Sequence, residues 1–307
     1  MKILFQSADA DAQECLGLLA GHLPRAQISH WPQGRNDAHD FAVCWQPPPG
    51  FFAGRRFKAI FNMGAGVDAL LHDPELPAEV PVIRLEDAGM AAQMEEYVAW
   101  VALTGLRNFH VYARQQLQAE WKQLQPRPRQ AYPVGIMGLG VLGTRVAQYL
   151  HGMGFPVRGW SRSARAIDGV ACYAGQAGLA EFLADTCLLV CMLPLTGATR
   201  GVLDRALLAQ LPRGAHLASI GRGPHMVEQD VLALLDSGHL AGAMLDVLPS
   251  EPLPPGHPFW HHPQVIITPH IAAQTLNDDA MRQIAAKISA LERGEPVSGA
   301  IDNSRGY

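Results

Sequence analysis

One stretch constrains the fold of this 307-residue chain more than any other: Val134-Gly135-Ile136-Met137-Gly138-Leu139-Gly140-Val141-Leu142-Gly143-Thr144. Glycines at Gly-x-Gly-x-x-Gly spacing follow a short apolar run and open an amphipathic helical pattern over residues 144–153. In that context they read as the first strand, turn and helix of a parallel α/β domain that binds a dinucleotide. Gly138 permits the tight turn, Gly140 lets backbone amides approach a pyrophosphate, and Gly143 allows the helix to lie close on the strand. The helix N-terminus then offers unpaired N–H groups and a favourable dipole to phosphate.

The rest of the chain repeats that alternation, which predicts an α/β fold with two doubly wound parallel sheets. Strands are expected at residues 3–5, 41–45, 59–61 and 80–84, with a helical stretch ending near Gly21. Residues 89–121 read as one long helix, closed by the Pro-rich break Gln125-Pro126-Arg127-Pro128-Arg129. A second series follows, with strands at 134–137, 157–160, 188–193, 215–220, 242–245 and 265–268. A last helix runs from about Gln274 to Arg293, with Gly294 placed to cap it. The second domain is thus expected as an insertion: residues 1–99 with 275–307 form a flavodoxin-like substrate domain, and residues 100–274 a Rossmann dinucleotide-binding domain.

Charge and cysteine usage narrow the function classes. Lys and Arg number 24 against 28 Asp and Glu, interspersed, for a net charge of −4. That argues against a nucleic-acid partner or a polybasic membrane anchor. No run reaches the 18 or so apolar residues of a spanning helix, and the N-terminal apolar run is too short for a signal peptide. The five cysteines (15, 44, 172, 187 and 191) are odd in number, lack a Cys-x-x-Cys pair and sit in apolar segments. They read as reduced core residues of a cytoplasmic protein. His257, His261 and His262 invite a metal reading, but Pro258 and Pro263 prevent one continuous helix and no His-Glu-x-x-His is present. No metal is expected.

At the end of the strand after the glycine loop, an NAD site would carry a carboxylate for the ribose. Here the chain reads Trp160-Ser161-Arg162-Ser163, which suits a 2′-phosphate through charge-assisted hydrogen bonds. NADPH is therefore the expected coenzyme, with NAD as the alternative. Three later strands end in Ser219-Ile220-Gly221-Arg222-Gly223, Asp246-Val247-Leu248-Pro249-Ser250-Glu251-Pro252 and Thr268-Pro269-His270. Ligands bind at the carboxyl ends of parallel strands, so these segments are candidates for one crevice. Arg222 can hold a carboxylate and polarise a carbonyl. His270 can donate a proton near neutral pH. Glu251 can bond its far ring nitrogen and favour the charged imidazolium.

The order and spacing of these segments resemble the D-isomer-specific 2-hydroxyacid dehydrogenases over the whole chain. One departure is Ile220-Gly221 before Arg222, where many members carry a small or polar residue. Trp45-Gln46-Pro47-Pro48, the run from Arg84 to Met94, Gly159-Trp160-Ser161-Arg162 and the terminal Arg305-Gly306-Tyr307 are similar to a branch acting on glyoxylate and hydroxypyruvate. The resemblance implies catalysis by Arg222, Glu251 and His270. It implies a substrate site of Trp45, Gly64, Ala65, Gly66, Arg84, Arg222 and His270, the 64–66 amides taking the carboxylate. Around the cofactor it implies Gly138, Leu139, Gly140, Val141, Leu142, Gly143, Trp160, Ser161, Arg162, Ser163, Leu193, Pro194, Thr199, Ile220, Gly221, Asp246, His270 and Ala272. Asp246 would face the nicotinamide carboxamide. Arg84 could instead pair with Glu86 or Asp87, and Trp260 could pack near the cleft. A homodimer is implied, with the apolar 89–121 segment and Trp121 near the partner. Two other readings stay open: an NAD-dependent dehydrogenase of another small acid, and a dinucleotide-sensing protein without turnover. Glu251 speaks against a formate-type enzyme, which needs no His–Glu pair.

Overall fold

The computed structural model describes residues 1–9, 11–33 and 37–301. The Arg305-Gly306-Tyr307 terminus lies outside the described residues. The chain divides into two compact units, Met1–Met90 with Gln274–Tyr307, and Ala91–Ala273.

In the first unit, β1 (Lys2–Ser7), α1 (Ala12–His22), β2 (Gln27–His30), β3 (Phe41–Trp45), β4 (Ala59–Asn62), α2 (Asp68–Leu71) and β5 (Val82–Ile83) follow in order. The strands form a five-stranded parallel sheet, β2-β1-β3-β4-β5. That order reverses direction at β1, so the carboxyl ends of β1 and β3 flank the position where such sheets bind ligands. The first four residues of β3 are buried, an almost continuous apolar run as expected of a strand covered on both faces. Leu4, Ala42, Cys44, Ile60 and Val82 pack there with Phe51, Phe52 and Phe57.

The second unit takes up α3 (Met90–Arg107) from Ala91 onward, then α4 (Phe109–Leu117), β6 (Val134–Met137), α5 (Val141–Gly152), β7 (Val157–Ser161) and β8 (Val170–Ala174). It continues through α6 (Gly175–Ala184), β9 (Leu188–Cys191), α7 (Arg205–Leu208), β10 (Ala215–Ser219), α8 (Glu228–Asp236), β11 (Leu240–Leu245) and β12 (Val265–Ile267). The seven strands run parallel in the order β12-β11-β10-β9-β6-β7-β8, reversing at β6. The period of two distributes side chains between two cores. Val134, Ile136, Leu188 and Val190 join one core with α3 and α5, whereas Met137, Leu189 and Cys191 join the other with α6 and α8. The chain then returns to the first unit as α9 (Asn277–Glu292), which packs on α1 and buries Met281, Ile284, Ala285 and Ile288. Gly294 follows it at φ +75°.

The structure differs from the sequence expectations at four places. Residues 91–99, expected in the first domain, lie in the second unit, because Met94 and Val98 share a core with Val134 and Leu188. The expected single helix over 89–121 is two, interrupted at Asn108 with φ 55°. Two strands, β2 and β8, were not expected; both lie at sheet edges and lack fully buried residues, so their apolar signal is weak. The strand expected at 80–84 is only two residues long.

Candidate active site

The sheet reversal at β6 leads into the glycine loop, and the loop's geometry explains each glycine. Gly138 has φ 116°, and a Cβ there would lie 2.8 Å from the main chain of Met192. A Cβ on Gly143 would overlap the carbonyl oxygen of Gly138, so α5 can approach β6 only through glycine. Gly140 has open space beside it and sits at the N-cap of α5. Leu139 is buried against Gly159 of β7, while Val141 is 47% exposed at the helix start and Leu142 half-buried. An uncrowded glycine before exposed N–H groups is a cradle that fits a pyrophosphate.

Beyond β7, Ser161 donates to the carbonyl of Ser163 at 2.7 Å, closing a turn in which Arg162 and Ser163 are exposed. No carboxylate occupies residues 160–163. Trp160 faces inward instead: its indole donates to the Gly175 carbonyl at 3.0 Å and its ring packs on the core. Beyond β9, Thr199 donates to the Pro194 carbonyl at 2.7 Å, shaping the turn after Leu193.

The ends of β10, β11 and β12 carry the candidate reactive groups. After β10, Ile220 is buried and Arg222 half-buried. The backbone N–H of Arg222 donates to Nδ1 of His225 at 3.2 Å, which leaves Nε2–H of His225 to donate to the Pro194 carbonyl at 3.2 Å. His225 is fully buried and pins the arginine loop to the turn beside it. A Cβ on Gly223 would overlap the main chain of Leu248, so this glycine brings the arginine loop against the loop after β11. There the N–H of Leu248 donates to Glu251 Oε1 at 2.9 Å, and Glu251 Oε2 accepts from Nδ1–H of His270 at 2.9 Å. The ring's Nε2 is thereby the nitrogen left for chemistry. The His270 and Glu251 side chains are 48% and 38% exposed, open enough for a substrate to reach.

Asp246 lies beneath the loop that follows β12. It is 2% exposed, and its carboxylate accepts from Thr268 Oγ1 at 2.6 Å, from the N–H of Ile271 at 2.8 Å and from the N–H of the buried Ala272 at 2.9 Å. Its backbone carbonyl takes the N–H of His270 at 2.9 Å. Asp246 thus shapes the loop that presents His270. His270 itself has φ 56°, a left-handed conformation that a helix-start residue would not adopt.

In the first unit, residues 64–66 follow β4. Asn62, buried at 3% exposure, donates through Nδ2 to the carbonyls of Gly64 at 2.8 Å and Gly66 at 2.9 Å. Across a trans peptide the next N–H points the opposite way, so the Ala65 amide faces away from Asn62. The Trp45 ring lies on Gly64 where a Cβ would stand. Arg84 donates its N–H to the Gly299 carbonyl at 2.9 Å, and Lys287 donates to the Arg84 carbonyl at 3.1 Å. Glu86, weighed as a partner for Arg84, takes Lys287 at 3.1 Å and Ser298 instead. Burial pushes the Glu86 carboxyl up, but these donors hold it below its ordinary value.

The remaining sequence candidates disperse. His257 pairs with Glu228 at 3.4 Å and His262 with Asp236 at 3.4 Å, and among the described residues no group of three or more His, Cys, Asp or Glu could hold a metal. Trp260 is 48% exposed and donates to the Pro254 carbonyl at 2.9 Å. Sequence reasoning missed Asn62, His225 and Thr268 altogether. Their signal, a polar residue inside an apolar strand end or beside a glycine, is visible only once the loops are placed.

Comparison with known proteins agrees with this geometry. Residues 99–272 match the family model of the D-isomer specific 2-hydroxyacid dehydrogenase NAD-binding domain. The chain is 46% identical to the glyoxylate/hydroxypyruvate reductase A of Salmonella heidelberg, with 100% of both chains covered. Among solved structures, a D-isomer specific 2-hydroxyacid dehydrogenase from Xanthobacter autotrophicus in complex with NADPH and MES is similar at TM-score 0.95. It shares 39% identity, covering 100% of this chain and 99% of that one. An NADPH-dependent glyoxylate/hydroxypyruvate reductase from Sinorhizobium meliloti in complex with NADP and sulfate is similar at TM-score 0.93 and 38% identity, with 100% and 99% covered.

Proposed function

Because the chain belongs to the D-isomer-specific 2-hydroxyacid dehydrogenases, we propose that it reduces small 2-oxo acids with NADPH, glyoxylate to glycolate and hydroxypyruvate to D-glycerate. The observation that carries this reading is the Glu251–His270 pair at 2.9 Å, at the carboxyl edge of a sheet whose glycine loop can cradle a dinucleotide. NADPH, when bound, supplies the hydride. The protein supplies the rest. His270, its tautomer set by Glu251, gives the proton from Nε2 to the carbonyl oxygen. Arg222 stabilises the negative charge that develops there. In the first unit, the outward amide of Ala65 and its neighbours in 64–66 are assigned to the carboxylate, with Trp45 and Arg84 as further substrate residues.

Ser161 and Arg162 support NADPH over NADH, since the turn offers a cation and hydroxyls and no carboxylate at 160–163. Five free cysteines suit a reducing compartment, and the cytoplasm is the proposed location. Among the described residues no helix is long and apolar enough to cross a membrane. A homodimer is part of the proposal. Trp100, Phe109, Leu117 and Trp121 of the second unit are 40, 50, 88 and 98% exposed, more large apolar surface than one segment ordinarily leaves in water. Steady-state rates with NADPH and NADH against a panel of 2-oxo acids test the reaction. Equal efficiency with both coenzymes, or phenylpyruvate turned over as well as glyoxylate, overturns the coenzyme or the small substrate respectively. Light scattering showing only monomer at micromolar concentration overturns the dimer.

A further inference from the structure

The loop that presents His270 is tied to a helix that carries no residue of the proposed reaction. Tyr97 Oη of α3 lies 2.6 Å from Thr268 Oγ1, and Thr268 Oγ1 lies 2.6 Å from Asp246 Oδ1. The direction of these bonds follows from the groups. An ionised carboxylate only accepts, so the one hydroxyl hydrogen of Thr268 goes to Asp246, and Tyr97 must donate to Thr268. Burial, with the charge of Asp246 adding, pushes the Tyr97 phenol up to about 12, so the donor keeps its proton throughout the working range.

Asp246 is the template of the loop: its carboxylate and carbonyl together collect Thr268, His270, Ile271 and Ala272. The left-handed φ of His270 persists only where its surroundings over-determine it. Thr268 could take more than one staggered χ1 rotamer, and the one it takes aims its hydroxyl at Asp246. The hydroxyl of Tyr97, held on α3 between the Trp100 ring at 5.3 Å and the core, selects that rotamer. We infer that Tyr97 is a positioning residue which, through Thr268 and Asp246, holds His270 in the orientation that delivers its proton.

This inference rests on the reading of His270 as the proton donor, and four variants separate the two. Tyr97→Phe removes only the hydroxyl, and kcat for glyoxylate falls about 3- to 10-fold with KM for NADPH unchanged, the size expected of one coupled contact. Thr268→Val lowers kcat further, and Thr268→Ser, which keeps the hydroxyl, restores it to within about twofold. The Tyr97→Phe/Thr268→Val double variant is no slower than Thr268→Val alone, because the tyrosine acts through the threonine. A merely structural role for Tyr97 moves Tm and not kcat, and gives multiplicative losses in the double variant; either result overturns the inference. His270→Asn is the control for the underlying reading. If it retains turnover, the proton-donor role fails. If it loses turnover while Tyr97→Phe keeps the parent kcat, only the relay falls.

Discussion

The second unit builds its two working loops by opposite means. The turn between β6 and α5 is made by leaving side chains out: Gly138 takes a left-handed φ, and Gly143 lets helix and turn touch. The turn after β12 is made by side chains, with buried Asp246 gathering four donors from residues 268–272 around itself. A phosphate needs several N–H groups on one open surface, and backbone alone provides that. A proton donor needs one imidazole in one tautomer and one direction, which takes a carboxylate at each end of its support, Glu251 at the ring and Asp246 at the loop. Local composition suffices for the first loop. The second depends on partners 20 or so residues away.

Removing the imidazole tests the side-chain loop most severely. His270→Asn lowers kcat by about 10²- to 10⁴-fold, the usual loss of a general acid, with NADPH affinity from fluorescence titration near the parent value. A comparable loss of NADPH affinity would mean that the two loops are not separable. Ser161→Asp with Arg162→Ala tests the coenzyme end of the backbone-built side. Losing one or two charge-assisted bonds swings the NADPH-to-NADH preference by about 10- to 150-fold, read as a ratio of kcat/KM. No swing would place the 2′-phosphate elsewhere. Gly143→Ala forces a Cβ into the Gly138 carbonyl. Overpacking of about 1–3 kcal/mol weakens NADPH by about 5- to 150-fold if the whole strain falls on the phosphate turn. Unchanged affinity would show that α5 can shift without cost.

The smallest expected effect lies at the amino end of an inner strand of the same sheet. His216 of β10 is 2% exposed, bonded to Tyr132 at 3.0 Å and stacked edge-on with His110 at 5.2 Å. Burial first, then the charges of His110 and Arg127, pushes it down to about 3. The unfolded chain therefore binds a proton that the folded one refuses, and stability declines as pH falls from about 6.5 towards about 3. His216→Asn gives a shallower fall in Tm between pH 7 and pH 5 than the parent shows. An equal slope would assign the acid sensitivity to other groups.

Reading outward from these cases, the sequence was most legible where periodicity and glycine placement act over a few residues. The β6–α5 turn, the inner strands β3, β9 and β10, and the strand ends bearing Arg222, Glu251 and His270 all fall where apolar runs and turn residues predict them. Edge strands β2 and β8 escaped because half-exposed residues carry little pattern. The break at Asn108 escaped because a left-handed asparagine between two helical patterns changes neither.

Sequence alone determined the two parallel α/β series, the glycine turn and which side chains are candidates for the reaction, because each depends on residue type and spacing along one segment. Tertiary structure decided what those side chains do to one another. It placed Asp246 under the His270 loop, His225 between the arginine loop and Pro194, and Asn62 beneath residues 64–66. It also joined residues 91–99 to the second unit's core. Such pairings are chosen by burial, which makes an unsatisfied polar group costly, and by hydrogen-bond geometry, which only a folded chain can meet.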